Sequence, residues 1–229
     1  MELLKRILFG KHARLSYSQC GEDLIVASIL DTLGIRRPSY IDIGAHEAVY
    51  LSNTYLFYRR GSRGVCVEPN PELHRNIQVK RPRDVSLNMG VGVSTATEVP
   101  FYIMSSTTLS SFSKEAAERL ASGGTEKIEK VISVPLITLD EIIRAYMPYG
   151  PHFVSLDVEG VDLAILQSVD FSRYRPQVFC IETLTYTEDK TEEKIAPTIE
   201  FMLSQGYFSY ADTYVNTIFV DKAAWKSRK

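Results

Sequence analysis

The stretch Ser155–Asp162, SLDVEGVD, places three carboxylates, Asp157, Glu159 and Asp162, within six positions behind the apolar run HFV. Carboxylates in that setting can take a proton from a hydroxyl, ligate a hard cation, contact a cofactor or cap a helix. Asp162 opens the apolar-periodic DLAIL, where an N-cap or first-turn acid is its economical role. Asp157 and Glu159 are left as candidates for chemistry. Other apolar runs also end in a polar residue: Asp42 after SYI, Glu68 after GVCV, Asn88 after VSL and Glu182 after VFCI.

Residues so placed need a scaffold that gathers strand ends along one edge. The chain alternates short apolar runs with helical spacing, which predicts an α/β fold: a Rossmann-like, mostly parallel sheet with an antiparallel last strand and helices on both faces. SYIDIG, GVCVEPNP, DVSLNMGVG, HFVSLDV and QVFCIET read as strands, and EVPFYIM as a hairpin-type insertion strand. AVYLSNTYLFYRRGS reads as a helix ending at Gly61, and PELHRNIQVK as a helix with Pro71 at its first position. Thr138 and Glu141 form a capping box after the strand KVISVPLI. TEEKIAPTIEFMLSQGY reads as a helix with Pro197 in its first half, and YFSYADT and NTIFVDK as an antiparallel pair. In open α/β sheets ligands bind outside the carboxyl ends of the strands, where the polar residues above lie.

With 229 residues, a formal charge of −2 and no repeat, the chain is long enough for one sizeable core. The charge argues against a nucleic-acid partner, and YRRGSRG and KRPRD read as solvated turns and helix ends. Cys20, Cys66 and Cys180 form no CxxC pair, the usage of a reducing compartment such as the cytoplasm; Cys66 and Cys180 read as core residues. No run is long enough for a transmembrane segment, and residues 1–15 lack the pattern of a signal peptide. Their basic, apolar mixture suits an amphipathic helix packed on its own domain, or one in peripheral contact with a membrane. Oligomeric state is not encoded in any of these patterns.

The turn DIGAHEA has Gly44 but no G-x-G-x-x-G, and it carries Asp42 and Glu47, which repel a diphosphate. They suit a ligand end bearing an ammonium and a sulfonium, as in S-adenosylmethionine. Glu68, at the end of the second strand, is placed to accept from both hydroxyls of a ribose, with a helix cap as the alternative. Asn88, Met89 and Gly90 line an adenine or form an ordinary turn. His46 is a general-base candidate by its ordinary pKa, and its place in the first loop favours a cofactor-lining role. No two histidines and a carboxylate stand at zinc spacing, so no metal residues are assigned.

The segments SQCGEDLI, YIDIGAHEAVYLSNTY, CVEPNPE, NMGVG, VSLDVEGVDLAIL, RPQVFCIET and GYFSY…NTIFV resemble, in order, the FkbM-type S-adenosylmethionine-dependent methyltransferases. The resemblance implies a seven-stranded sheet in a single domain over 1–229, with 1–34 an N-terminal helical segment covering the cofactor site through Ser18 and Gln19. It implies methyl transfer to a hydroxyl of a glycan or small-molecule acceptor. Gln19, Asp42, Gly44, Ala45, His46, Glu68, Pro69, Asn88, Met89, Gly90 and Asp157 then contact the cofactor, and Asp157, Glu159 and Glu182 handle the acceptor proton. A divalent cation held by these oxygens is the alternative route. His46 and Ala48 depart from the family's first loop, which has Asn and Gly there; the Ala48 methyl is expected to narrow the approach to the cofactor. Two rival readings are a nicotinamide-dependent oxidoreductase and a degenerate fold serving as a scaffold.

Overall fold

The computed structural model describes residues 13–158, 160–185 and 191–228. Glu159, Tyr186 and most of the basic N-terminal stretch lie outside the described residues. The strands are β1 (Tyr40–Ile43), β2 (Gly64–Val67), β3 (Val85–Leu87), β4 (Gly90–Val91), β5 (Ala96–Met104), β6 (Ile128–Ile137), β7 (Phe153–Leu156), β8 (Val178–Glu182), β9 (Tyr207–Asp212) and β10 (Asn216–Asp221). The helices are α1 (Glu22–Thr32), α2 (Tyr55–Arg59), α3 (Pro71–Lys80), α4 (Lys114–Ser122), α5 (Leu139–Tyr146), α6 (Asp162–Gln167), α7 (Ala196–Ser204) and α8 (Lys222–Lys226).

Seven strands form the main sheet in the order β3-β2-β1-β7-β8-β10-β9. The β3-β2-β1-β7-β8 block is parallel, and β10 is antiparallel to both β8 and β9. Its central strands are buried along their whole length, which is why they read as unbroken apolar runs. Side chains alternate between the faces. Ile41, Ile43, Val154, Leu156, Phe179 and Ile181 pack with α5, α6 and α7. Tyr40, Phe153, Val178, Cys180, Ile218 and Val220 pack with α1 and α2. Each large apolar side chain so buried contributes about 1.5–3 kcal/mol. α1 thus lies against one sheet face, and among the described residues of this N-terminal region Gln19, just before α1, lines the cavity described below.

β4, β5 and β6 form a second sheet in the order β4-β6-β5, with β5 antiparallel and β4 parallel to β6. DVSLNMGVG is therefore two strands in two sheets rather than one. Asn88 marks the change: its amide donates to the carbonyls of Glu68 and Pro69, at 2.9 Å each, and pins the turn.

The long helix expected over AVYLSNTYLFYRRGS reduces to α2. Leu51 takes a left-handed φ of 57°, and the Ser52 hydroxyl accepts from the amides of Thr54 and Tyr55, a local alternative to helical bonding. α7 starts at Ala196 with Pro197 in its first turn. The preceding residues instead bridge Lys194 to Leu184 and donate Ile195 N–H to Thr183 O. The KRPRD segment is not a solvated turn, because Arg81 is fully buried.

Candidate active site

A cavity of about 400 Å³ opens at the carboxyl ends of β1, β2, β7 and β8. Its size is that of a small-molecule site. Gln19, Asp42, Gly44, Ala45, His46, Glu68, Pro69, Met89, Gly90, Asp157 and Glu182 all line it. Asn88 does not; it holds the loop from behind through the two carbonyls named above. Sequence patterns gave no signal for Asn53, Phe101 and Val158, which also line the cavity. The hydroxyl-rich loop after β5 contributes Thr107, Thr108, Ser110 and Ser111 as a wall.

The first loop is fixed from both sides. Gly44 N–H and Ala45 N–H both donate to Val67 O at 3.1 Å, and Asp157 N–H donates to Ile43 O at 3.2 Å. Gly44 has a φ of 73°, and a Cβ there would lie 1.9 Å from the Asp157 carbonyl oxygen. Glycine is thus required first by the approach of the two strand ends, not by a ligand. Ala48 corrects an expectation. It is buried with Ala45, Cys66 and Ile77 and is absent from the cavity lining, so its methyl does not narrow the cofactor's approach.

Glu68 is buried at the end of β2. One carboxylate oxygen accepts from His46 N–H and the other from Asn70 N–H, each at 2.8 Å. A carboxylate offers about four acceptor positions, so each oxygen keeps one for a ligand. Burial raises its pKa to about 7, against the lowering effect of the two amides. His46, at a φ of 44°, turns its Nε2 to the Thr107 hydroxyl at 2.9 Å and so joins the first loop to the wall after β5. Burial lowers its pKa.

Beneath the cavity lies a polar cluster that sequence reasoning missed. Arg81 donates to Asp84 at 2.9 Å, to the Tyr40 hydroxyl at 3.0 Å and to the Thr54 hydroxyl at 2.8 Å, and it pairs with Asp42 at 3.6 Å. The Thr54 hydroxyl in turn donates to Asp42. The Asp42 carboxylate therefore lines the cavity while being held from below. Burial raises its pKa despite the arginine.

At the far wall, the ends of the adjacent strands β7 and β8 bring Asp157 and Glu182 together in a side-chain hydrogen bond. Asp157 is exposed where it lines the cavity. Desolvation raises its pKa, the Glu182 interaction lowers it, and the Asp42 charge raises it again. Asp162 is buried in the first turn of α6, where its carboxylate accepts from Val158 N–H at 3.3 Å. Among the described residues no Lys or Arg lines the cavity, and no group of three or more His, Cys, Asp and Glu is disposed to hold a metal ion. No helix among them is long and apolar enough to cross a membrane.

Numbered within the main sheet alone, the strand order is 3-2-1-4-5-7-6 with the seventh strand antiparallel, and the cavity stands at the carboxyl ends. This defines a Rossmann-like protein of the methyltransferase type. The sequence profile of the methyltransferase FkbM domain matches residues 42–209, and the chain belongs to that family. No curated protein matches the chain. Among solved structures, it is similar to a precorrin-6y C5,15-methyltransferase from Geobacter metallireducens, with 16% identity over 87% of this chain and 89% of that one and a TM-score of 0.45. It is also similar to an O-methyltransferase from Bacillus cereus in complex with SAH, at 12%, 96%, 96% and 0.45 in the same measures. For magnesium protoporphyrin IX methyltransferase from Synechocystis PCC 6803 with bound SAM the values are 12%, 96%, 97% and 0.40.

Proposed function

We propose that the protein is an S-adenosylmethionine-dependent O-methyltransferase acting on a hydroxyl of a sugar, glycan or related natural product. The observation that carries this reading is the Asp157–Glu182 carboxyl pair, which faces the same acid-lined cavity as Glu68. The lining fits the cofactor: acids without lysine or arginine favour a ligand with an ammonium and a sulfonium and disfavour a diphosphate. When bound, S-adenosylmethionine supplies a methyl group already activated by its sulfonium.

Glu68 accepts from the ribose hydroxyls through its two remaining positions. Pro69, Met89 and Gly90 flank the adenine, while Gln19, Ala45 and His46 line the rest of the ligand. Asp42, held by Thr54 and Arg81, contributes negative potential toward the cationic end. Asp157 and Glu182 receive the acceptor's hydroxyl proton, and the raised pKa of Asp157 makes it a stronger base than an ordinary aspartate. Alignment of the acceptor oxygen and exclusion of water supply the larger effect. The hydroxyl-rich wall from Thr107 to Ser111 supports a hydroxyl-bearing acceptor. Glu159, outside the described residues, stays a third candidate acid on its sequence position alone.

Two measurements test these roles. Asp157→Asn and Glu182→Gln are each expected to lower turnover by about a hundredfold while leaving cofactor affinity within about threefold; matching losses in both would move that residue to the cofactor site. Turnover with and without a chelator separates proton transfer to the pair from a cation held by it. Cofactor affinity is expected to rise with pH and to level off above about 7, because Glu68 must lose its proton to accept from both hydroxyls. Glu68→Gln should flatten that profile and weaken binding by about tenfold. Calorimetric titration between pH 5.5 and 8.5 reads both, and a pH-independent affinity in the native protein would count against the ribose assignment.

A further inference from the structure

A second chamber, about 370 Å³, adjoins the cavity and shares with it Leu109, Ser111, Glu182, Leu184 and Thr185. Its walls come from the start of α6, the end of β8 and, across from them, α4 with the loop before it. Glu182 is thus reached from both spaces. The chamber is of a size for one small molecule. Its polar lining is Ser111, Ser113, Thr185, Asp162, Glu182 and Arg119.

Arg119 sets the chemistry. Among the described residues it is the one lysine or arginine lining either space. It is exposed, and its side chain makes no hydrogen bond or ion pair to any described residue. Its helical neighbours Lys114 and Glu118 pair with each other at 3.5 Å and leave it out. The opposite wall is acidic, with Asp162 occupied by Val158 N–H and Glu182 by Asp157. The field therefore runs across the chamber from Arg119 to the carboxyl pair.

We infer that this chamber is the acceptor subsite, and that the acceptor is a hydroxylated anion whose carboxylate or phosphate meets Arg119 while its hydroxyl is presented to Glu182 and Asp157. The acid-lined cavity repels the anionic end and the arginine attracts it, so the two charges orient the molecule with one hydroxyl toward the reacting methyl. A guanidinium binds carboxylates and phosphates alike through paired N–H donors. The inference rests on the methyltransferase reading.

The test uses the protein saturated with S-adenosylhomocysteine and a panel of glucuronate, galacturonate and glucose 6-phosphate against the neutral parent sugars glucose and galactose, with binding read by saturation-transfer NMR. The anionic members are expected to bind at least about tenfold more tightly than their neutral partners. Arg119→Gln should remove that preference and leave S-adenosylhomocysteine affinity unchanged; Arg119→Lys should restore part of it. Preference for uronates over the phosphate, or the reverse, identifies which anion is taken. Equal binding of neutral and anionic members, a preference that survives Arg119→Gln, or no binding by any member overturns the inference while the cofactor reading stands. Failure to take up S-adenosylhomocysteine, read in a separate titration, overturns both.

Discussion

Gly44→Ala is expected to abolish cofactor binding and to lower stability by about 3 kcal/mol or more. Two costs add. The left-handed φ of 73° disfavours any side chain, and the new Cβ would lie 1.9 Å from the Asp157 carbonyl oxygen. That oxygen is backbone, and β1 and β7 are paired in register from Tyr40–Phe153 to Ile43–Leu156, so it cannot swing aside as a side chain would. Relief requires the strand ends to part. That movement displaces the loop that carries His46 N–H to Glu68, and with it the Asp157 end of the carboxyl pair. Thermal unfolding and calorimetry measure the two effects. A variant with native melting temperature and native affinity would show that the strand ends are not packed as described.

Arg81→Met is expected to cost about 3–5 kcal/mol, the second large effect. Methionine fills most of the volume, so the loss comes from charge rather than from a cavity. Asp42 and Asp84 would be left buried without a cation, and the Tyr40 and Thr54 hydroxyls would lose a donor. The variant relieves this by protonating its buried carboxyls. A carboxyl whose folded pKa is raised stabilises the fold below its unfolded pKa, and that contribution is lost as pH rises. The deficit relative to the native protein should therefore be smaller at pH 5.5 than at pH 8, as measured by urea unfolding. Adding Asp84→Asn should recover part of it. A loss below about 1 kcal/mol at pH 8 would mean that the cluster contributes little.

The parallel sheet was legible because its strands are buried on both faces and read as apolar runs closed by a polar residue. The cavity lining followed from those same strand ends, as Asp42, Glu68, Asp157 and Glu182 illustrate. Side-chain direction was not legible. The Ala48 methyl was expected to narrow the cofactor's approach, and Asn88 to line an adenine or form a turn; the first packs in a small apolar cluster, and the second clamps two carbonyls. Arg81 was missed because KRPRD looks like a solvated turn, and its partners Asp42, Tyr40 and Thr54 are far away in sequence. The signal available was Asp84, three residues on, which alone cannot distinguish a surface pair from a buried one. The second chamber depends on α4 and the start of α6 lining one space, a juxtaposition no local pattern encodes.

The central claim is that this cavity binds S-adenosylmethionine and not a dinucleotide. Isothermal calorimetry of the purified chain with S-adenosylmethionine, S-adenosylhomocysteine and NAD tests it most directly. The account predicts saturable one-to-one heats for the first two, lost in Gly44→Ala, and none for NAD. Absence of heat with both sulfur compounds, or a saturable heat with NAD alone, would contradict it.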